Sequence, residues 1–358
     1  MNPIAKFGIA AAIIAIVIVL SLDSSFFTTP SESHTLTESS NVTKTDTIRI
    51  GYFPNISHAQ AVIGLGNGDY QKELGSIKIE TQVFNAGPSA IEALFANRVD
   101  VTYVGPNPAI NGYLKSDGQG LRVIAGAASG GAVFVVRNDD GINSINDLGG
   151  KKFASPQLGN TQDVALRSYL LKNGYKTSDN GGTVQVIPAS NPDIFTMMLK
   201  KNIDGAWVPE PWGTKLEKEA NGTILVDERD LWPNGKFVSA LIVVRTDYLQ
   251  NHPDIIKKLL EAHVDETTWI NNNKDDAVTV FNDQLVKLTG KSLPADELKE
   301  AFSRMDLTYD PVKDSLYTSA DNAFNLGFLG NQKPDLTNIF DLKILNEVLQ
   351  EKNLPTIP

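Results

Sequence analysis

The sequence predicts an α/β protein of two lobes with a helical C-terminal part. The first observation behind this is a strand–turn–helix module that occurs twice. Leu94-Phe95-Ala96-Asn97-Arg98-Val99-Asp100 runs into Val101-Thr102-Tyr103-Val104-Gly105-Pro106, and Met198-Leu199-Lys200-Lys201-Asn202-Ile203-Asp204 runs into Gly205-Ala206-Trp207-Val208-Pro209-Glu210. Asp100 aligns with Asp204, Tyr103 with Trp207 and Val104 with Val208. A looser match precedes each copy: Ile50 to Pro54 leads to Gln60, and Lys152 to Pro156 leads to Gln162. The second observation is that strand patterns alternate with helix patterns, which implies mostly parallel pairing. The third is length. A chain of 358 residues suggests two lobes, and ligands favour the cleft between such lobes.

The elements follow in order. Lys6 precedes an uncharged apolar run from Phe7 to Leu22. Residues 1–22 read as an uncleaved signal anchor or a cleaved signal peptide, and residues 23–46 as a Ser/Thr-rich stalk. Either reading puts the body outside the cytoplasm, with a membrane partner through the N-terminal segment. Thr47–Tyr52 alternates as a strand, followed by helix signals from about His58 to Gly66. Ile77–Phe84 is the next strand, and Pro88 suits the first turn of a helix running to Ala96. Val99–Val104 is a strand, with a short helix from about Pro108. Strands follow at Leu121–Ala127, Ala132–Arg137 and Lys152–Ala154, then a helix over Thr161–Lys172 and a strand over Thr183–Ile187. A helix through Met197, a strand over Gly205–Val208 and a helix from Pro211 complete the second half.

Phe237–Arg245 is a continuous apolar run whose Val content favours a buried strand. Beyond it the pattern is helical: Asp254–Ile270 is amphipathic, and helices are expected near Asp275, Pro294, Lys313 and Ile339. Crossings between lobes are expected at Ala132–Arg137 and Phe237–Arg245. That division gives one discontinuous lobe of residues 47–135 and 238–358, and a second of residues 136–237.

Composition excludes several functions. The formal charge is −10, which argues against nucleic acid as a partner. It does not argue against a small anion, because helix N-termini bind anions without Lys or Arg. The chain has no cysteine, so disulfides, thiolate metal sites, Cys nucleophiles and a lipid-modified cysteine anchor are all absent. No His/Asp/Glu cluster has metal spacing, and no Gly-x-Ser-x-Gly or Gly-x-x-x-x-Gly-Lys motif occurs. No catalytic residue, metal ligand or cofactor is expected.

Four turns feed helix starts: Pro54-Asn55-Ile56-Ser57-His58, Ala86-Gly87-Pro88-Ser89, Gly105-Pro106-Asn107-Pro108 and Leu158-Gly159-Asn160-Thr161. In parallel α/β sheets such turns lie beyond the carboxyl ends of strands, where ligands bind. Each offers backbone N–H groups and a favourable dipole to an anion. Gly87 and Gly159 allow close approach, and Ser57, Asn160 and Thr161 add side-chain hydrogen bonds. Taken one at a time, each is equally a helix cap. In Val208-Pro209-Glu210-Pro211-Trp212, Trp207 and Trp212 could wall a pocket. Glu210 is either the partner of a ligand ammonium or a first-turn acid. His58 is either a donor to an anion or a solvated helix-start histidine.

These turns, with the Asp100–Gly105 segment and Trp207 to Trp212, resemble the nitrate, sulfonate and taurine family of solute-binding proteins of ABC importers. The resemblance covers roughly residues 47–248. It implies a type II periplasmic-binding fold, in which two α/β lobes joined by two crossing strands close like a hinged clamp. It also implies a small-molecule anion as ligand and a membrane permease with its ATPase subunits as partners. The cleft would then be lined by Asn55, Ser57, His58, Gly87, Pro88, Ser89, Gly105, Pro106, Asn107, Gly159, Asn160 and Thr161. Trp207, Glu210 and Trp212 would close it from the second lobe. The expected solute is an alkyl sulfonate, taurine or nitrate. A pyrimidine precursor of thiamine, stacked on Trp207 or Tyr103, is the alternative. A pyrimidine synthase is disfavoured by the absence of cysteine, and a surface sensor or adhesin stays open.

Overall fold

The computed structural model describes residues 46–358, all within one compact unit. The expected anchor, and the stalk as far as residue 45, lie outside the described residues. Among the described residues no helix is long and apolar enough to cross a membrane.

Two sheets organise the body. The first half of the chain runs β1 (Thr47–Tyr52), α1 (Ala59–Asn67), α2 (Asp69–Leu74), β2 (Lys78–Val83), α3 (Gly87–Phe95), β3 (Val101–Val104), α4 (Pro106–Lys115) and β4 (Leu121–Gly130). The second runs β5 (Ala132–Arg137), β6 (Lys152–Pro156), α5 (Thr161–Lys172), β7 (Gln185–Ala189), α6 (Asn191–Leu199), β8 (Gly205–Pro209), α7 (Trp212–Glu219) and β9 (Gly222–Asp227). Then come β10 (Val238–Arg245), α8 (Thr246–Asn251), α9 (Pro253–Asn272), α10 (Lys274–Thr289), α11 (Ala295–Ser303), β11 (Met305–Leu307), α12 (Lys313–Asn325) and α13 (Lys343–Glu351).

Strand order is β11-β4-β10-β3-β1-β2 in one sheet and β7-β6-β8-β5-β9 in the other. The two orders correspond. β1 lies parallel to β2 and β3, as β6 does to β7 and β8, and β10 occupies the place in the first sheet that β5 occupies in the second. β10 and β5 each pair antiparallel with both neighbours. The pairing is therefore mixed rather than mostly parallel. The physical reason is that β5 and β10 each arrive from the other sheet. They enter without the crossover helix that parallel pairing requires.

The repeat seen in the sequence is a repeat in space. The Asp100 carboxylate accepts from the Arg49 N–H that opens the core of β1 (2.9 Å), and the Asp204 carboxylate accepts from the Lys152 N–H of β6 (2.6 Å). Asn97 and Lys201 both take a left-handed φ, at 55° and 56°, in the turn before the aligned strands. Tyr103 and Trp207 are both fully buried.

The first passage between sheets falls at Gly130-Gly131, where φ is 83° and 72°, a region that favours glycine. The expected crossing at Ala132–Arg137 is thus displaced: β5 belongs wholly to the second sheet, and residues 132–135 go with it. The return passage runs from Glu228 to Phe237, so β10 lies wholly in the first sheet. β9 and the three-residue β11 carry no sequence expectation. Apolar clusters cover both faces of each sheet. One joins β1, β3 and β10 to α1, α2, α9, α10 and α13, and another packs α3, α4 and α12 on the opposite face. The second sheet is covered by α5 on one face and by α6 and α7 on the other.

Candidate functional site

The carboxyl ends of the parallel strands of both sheets converge on a small cavity of about 20 Å³. From the first sheet come Phe53, Asn55, Ser57 and His58 after β1, Asn85 and Ala86 after β2, Gly105 after β3, and Ser239 of β10. From the second come Pro156, Asn160, Thr161 and Gln162 after β6, Asn191 at the start of α6, and Pro209 of β8. The two sets touch. The Ile56 N–H donates to the Glu210 carbonyl at 3.3 Å. A methyl group placed on Gly105 would lie 2.2 Å from Thr161 Oγ1, and one on Gly87 would lie 3.1 Å from Asn160 Oδ1. Neither glycine needs a left-handed φ. Gly105 leaves room for the facing turn, and Gly87 leaves room first for Pro108 of α4, 2.3 Å from the added methyl, and then for Asn160.

Polar groups at this cavity lack partners. Thr161 Oγ1, Ser239 Oγ and Asn191 Oδ1 are buried and make no hydrogen bond. A buried polar atom without a partner costs about 1–3 kcal/mol, so any hydrogen-bonding group that enters the cavity is stabilised by these three. A half-turn of the Asn191 amide exchanges its donor and acceptor ends. Helix starts add donors: α3, α4 and α5 carry no side-chain cap hydrogen bond, which leaves first-turn N–H groups open. The Asn160 amide donates to Gln162 Oε1 at 3.0 Å instead of capping α5. No Lys or Arg lines the cavity.

His58 is buried, and burial lowers its imidazole to about 3. Its Nδ1 accepts from the Phe53 N–H at 3.2 Å. The proton of the neutral ring therefore sits on Nε2, a donor available to the cavity. Between pH about 6.5 and about 3 the unfolded chain binds a proton here and the folded chain does not, so stability is lost as pH falls through that window. His58→Gln is expected to remove this contribution. The stability difference between wild type and variant, from urea unfolding at pH 7 and pH 5, should change by up to about 1.4 kcal/mol per pH unit. A constant difference would mean that His58 is not held neutral.

The remaining residues expected at the cleft border it or lie beyond it without lining this cavity. Ser89 Oγ donates to the Ala86 carbonyl at 2.8 Å, and Pro88 lies in the first turn of α3. The Gly159 N–H donates to Asp163 at 2.9 Å. Pro106 opens α4, and Asn107 Nδ2 donates to the Ser319 carbonyl at 3.2 Å. Trp212 opens α7 and packs against the apolar cluster beneath it. Trp207 is buried, stacks on Phe134 and donates to Glu228 at 2.7 Å. Tyr103 bonds Tyr70 and His263, so it offers no open ring face. Glu210 is fully buried. One carboxylate oxygen accepts from the Thr214 N–H of α7 (2.9 Å), and the other pairs with Arg304 (2.9 Å). It stands two residues before α7, accepts from that helix's first turn and ties the second half to the C-terminal part.

Sequence reasoning missed Asn191, Ser239, Gln162 and Asn85 as cavity residues. Two signals were available. Pro192 repeats Pro88 in the first turn of the equivalent helix, which makes Asn191 the counterpart of Gly87. Ser239 is the one hydroxyl inside the Phe237–Val244 apolar run.

Comparisons with known proteins place the family and the fold. Residues 42–281 match the NMT1-like family. A Brucella abortus (strain 2308) chain named only as a binding protein is 29% identical over 252 residues, covering 70% of this chain and 72% of that one. The taurine-binding periplasmic protein of Escherichia coli (strain K12) is 25% identical over 205 residues, 57% of this chain and 61% of the relative. In fold, the nitrate-binding protein NrtA from Synechocystis PCC 6803 superposes with a TM-score of 0.70 at 16% identity, covering 87% of this chain and 90% of that one. The alkanesulfonate-binding protein SsuA from Xanthomonas axonopodis pv. citri, bound to MOPS, superposes at 0.67 with 16% identity, covering 80% and 96%. The fold is that of periplasmic binding proteins.

Proposed function

The chain belongs to the NMT1-like family, and on that premise we propose that it is the extracytoplasmic solute-binding component of an ABC importer, capturing a small oxyanion between its two sheets. The candidates are an alkyl sulfonate, taurine and nitrate. The permease and its ATPase subunits are the partners this role requires, and no catalytic step is involved.

One observation carries the reading. Three buried polar groups without partners, Thr161 Oγ1, Ser239 Oγ and the Asn191 amide, surround one cavity into which open helix N-termini point. Neutral donors and backbone dipoles suit an anion that must be released again, since helix N-termini attract anions without a fixed cation. A cavity of about 20 Å³ holds about one water. Solute entry therefore needs the facing turns to part and reclose. The relatives named for taurine and nitrate support the solute class, and the resemblance of the turns supports the location.

Thr161→Ala tests it. A hydrogen bond to a charged group is worth about 1.5–3 kcal/mol, so affinity for the bound oxyanion should fall about tenfold or more. Calorimetry with ethanesulfonate, taurine and nitrate measures the change. Unchanged affinity in a folded variant would remove Thr161 from the site.

A further inference from the structure

A second, larger cavity of about 420 Å³ lies between α5 and α12, beside the return passage from β9 to β10. Pockets of this size take small organic ligands. Tyr169, Trp207, Trp232 and Phe237 form aromatic walls. These walls are braced: Phe134 stacks behind Trp207 with centroids 5.4 Å apart, and Trp232 stacks on Phe237 at 5.4 Å. Glu228 lies at the wall, 3% exposed. Its Oε2 accepts from Trp207 Nε1 at 2.7 Å and its Oε1 from Trp232 Nε1 at 3.3 Å. A carboxylate has about four lone-pair sites, so two indole donors leave acceptor capacity. Among the described residues no ion pair reaches Glu228. Lys172 lines the same cavity and favours the charged form from a distance, while Asp227 beside it disfavours that form.

An aromatic-walled cavity around a buried carboxylate with no cationic partner complements a particular chemistry. It fits a small cation with a flat apolar body, whose N–H groups add to the carboxylate and whose charge faces aromatic rings. We propose that this cavity is a second ligand site, for a small organic ammonium that donates to Glu228 and packs against the partly exposed rings of Trp232 and Tyr169. The site is separate from the oxyanion cleft, although Thr161 borders both, and it does not depend on the identity of the oxyanion. Burial pushes the Glu228 carboxyl up to about 7. Affinity for the cation should therefore rise from pH 6 to pH 8 as the carboxylate forms, by about tenfold for a single titrating group.

Benzylamine, benzyl alcohol and benzoate are titrated calorimetrically into the full chain at pH 8. The proposal predicts that benzylamine binds at least tenfold tighter than the other two and that Glu228→Gln removes this preference. Ala165→Phe, which fills the cavity from α5, should abolish benzylamine binding even if the Glu228 variant fails to fold. Equal affinities for benzylamine and benzyl alcohol would overturn the proposal. So would a preference that survives both variants, or displacement of benzylamine by ethanesulfonate, which would put both ligands in one cleft.

Discussion

Gly105→Ala is expected to weaken solute binding by roughly tenfold to a hundredfold while the protein stays folded. Gly105 ends the turn after β3 and faces the start of α5 across the cleft. The added methyl would stand 2.2 Å from Thr161 Oγ1 and 3.2 Å from its Cβ, so it collides with a side chain placed at the proposed anion site. Overpacking of this kind costs about 1–3 kcal/mol, and each 1.4 kcal/mol is about tenfold in affinity. The backbone is extended there, with φ −71°, so alanine brings no conformational strain. Each sheet keeps its own helices, and the collision is relieved when the facing turns part. Calorimetry gives the affinity and thermal unfolding gives the control. Wild-type affinity in the variant would mean that the two turns do not close on the solute.

Arg304→Met is expected to destabilise the protein by about 3–5 kcal/mol, the cost of stranding one member of a buried ion pair. Arg304 reaches Glu210 Oε1 at 2.9 Å, Thr214 Oγ1 at 2.6 Å and Glu300 at 2.6 Å. It therefore ties the C-terminal helices to α7 of the second half. Without it, the fully buried Glu210 keeps only Thr214, through its N–H and side chain. Burial already raises the Glu210 carboxyl above its ordinary 4.5, against the opposing pull of Thr214 and Arg304. Removing the cation raises it further. A folded-state value above the unfolded one means stability is retained below 4.5 and lost as pH rises, so the variant's deficit should grow from acid towards neutral pH. Glu210→Gln added to Arg304→Met should recover part of the loss. Urea unfolding at pH 5 and pH 7 reads both effects. A deficit under about 1 kcal/mol at pH 7 would mean that the pair is solvated like an exposed one.

Much of the fold was legible because local and tertiary signals agree. α5 spans Thr161–Lys172 as its pattern requires, and β10 shows as a run of buried residues because helices cover both of its faces. The repeat was legible because Asp100 and Asp204 do the same work, pinning the corresponding strands β1 and β6. β11 was not legible, since three residues pair with β4 only by tertiary contact. The mixed pairing was hidden for the same reason: which sheet a strand joins depends on where the chain turns, and Gly130-Gly131 sits five residues before the boundary its pattern suggested.

At the site, the turns were readable and the roles were not. Asn55, Ser57, His58, Gly105, Asn160 and Thr161 do line one cavity. Glu210 was ambiguous because the partner that occupies it stands 94 residues away. The His58 tautomer follows from one backbone N–H that the sequence does not reveal. Trp207 is an aromatic in the right segment facing a different cavity. Asn55-Ile56-Ser57 also has the pattern of a glycosylation acceptor, but the Asn55 side chain is buried, which leaves no room for a glycan in the folded state.

The central claim is that this chain captures a small oxyanion between its sheets. Calorimetric titration of the full chain with ethanesulfonate, taurine and nitrate, with a thiamine-precursor pyrimidine as the fourth ligand, tests it most directly. The account predicts one-to-one binding of at least one of the three anions and none of the pyrimidine. Silence from all three anions, or binding of the pyrimidine alone, would contradict it.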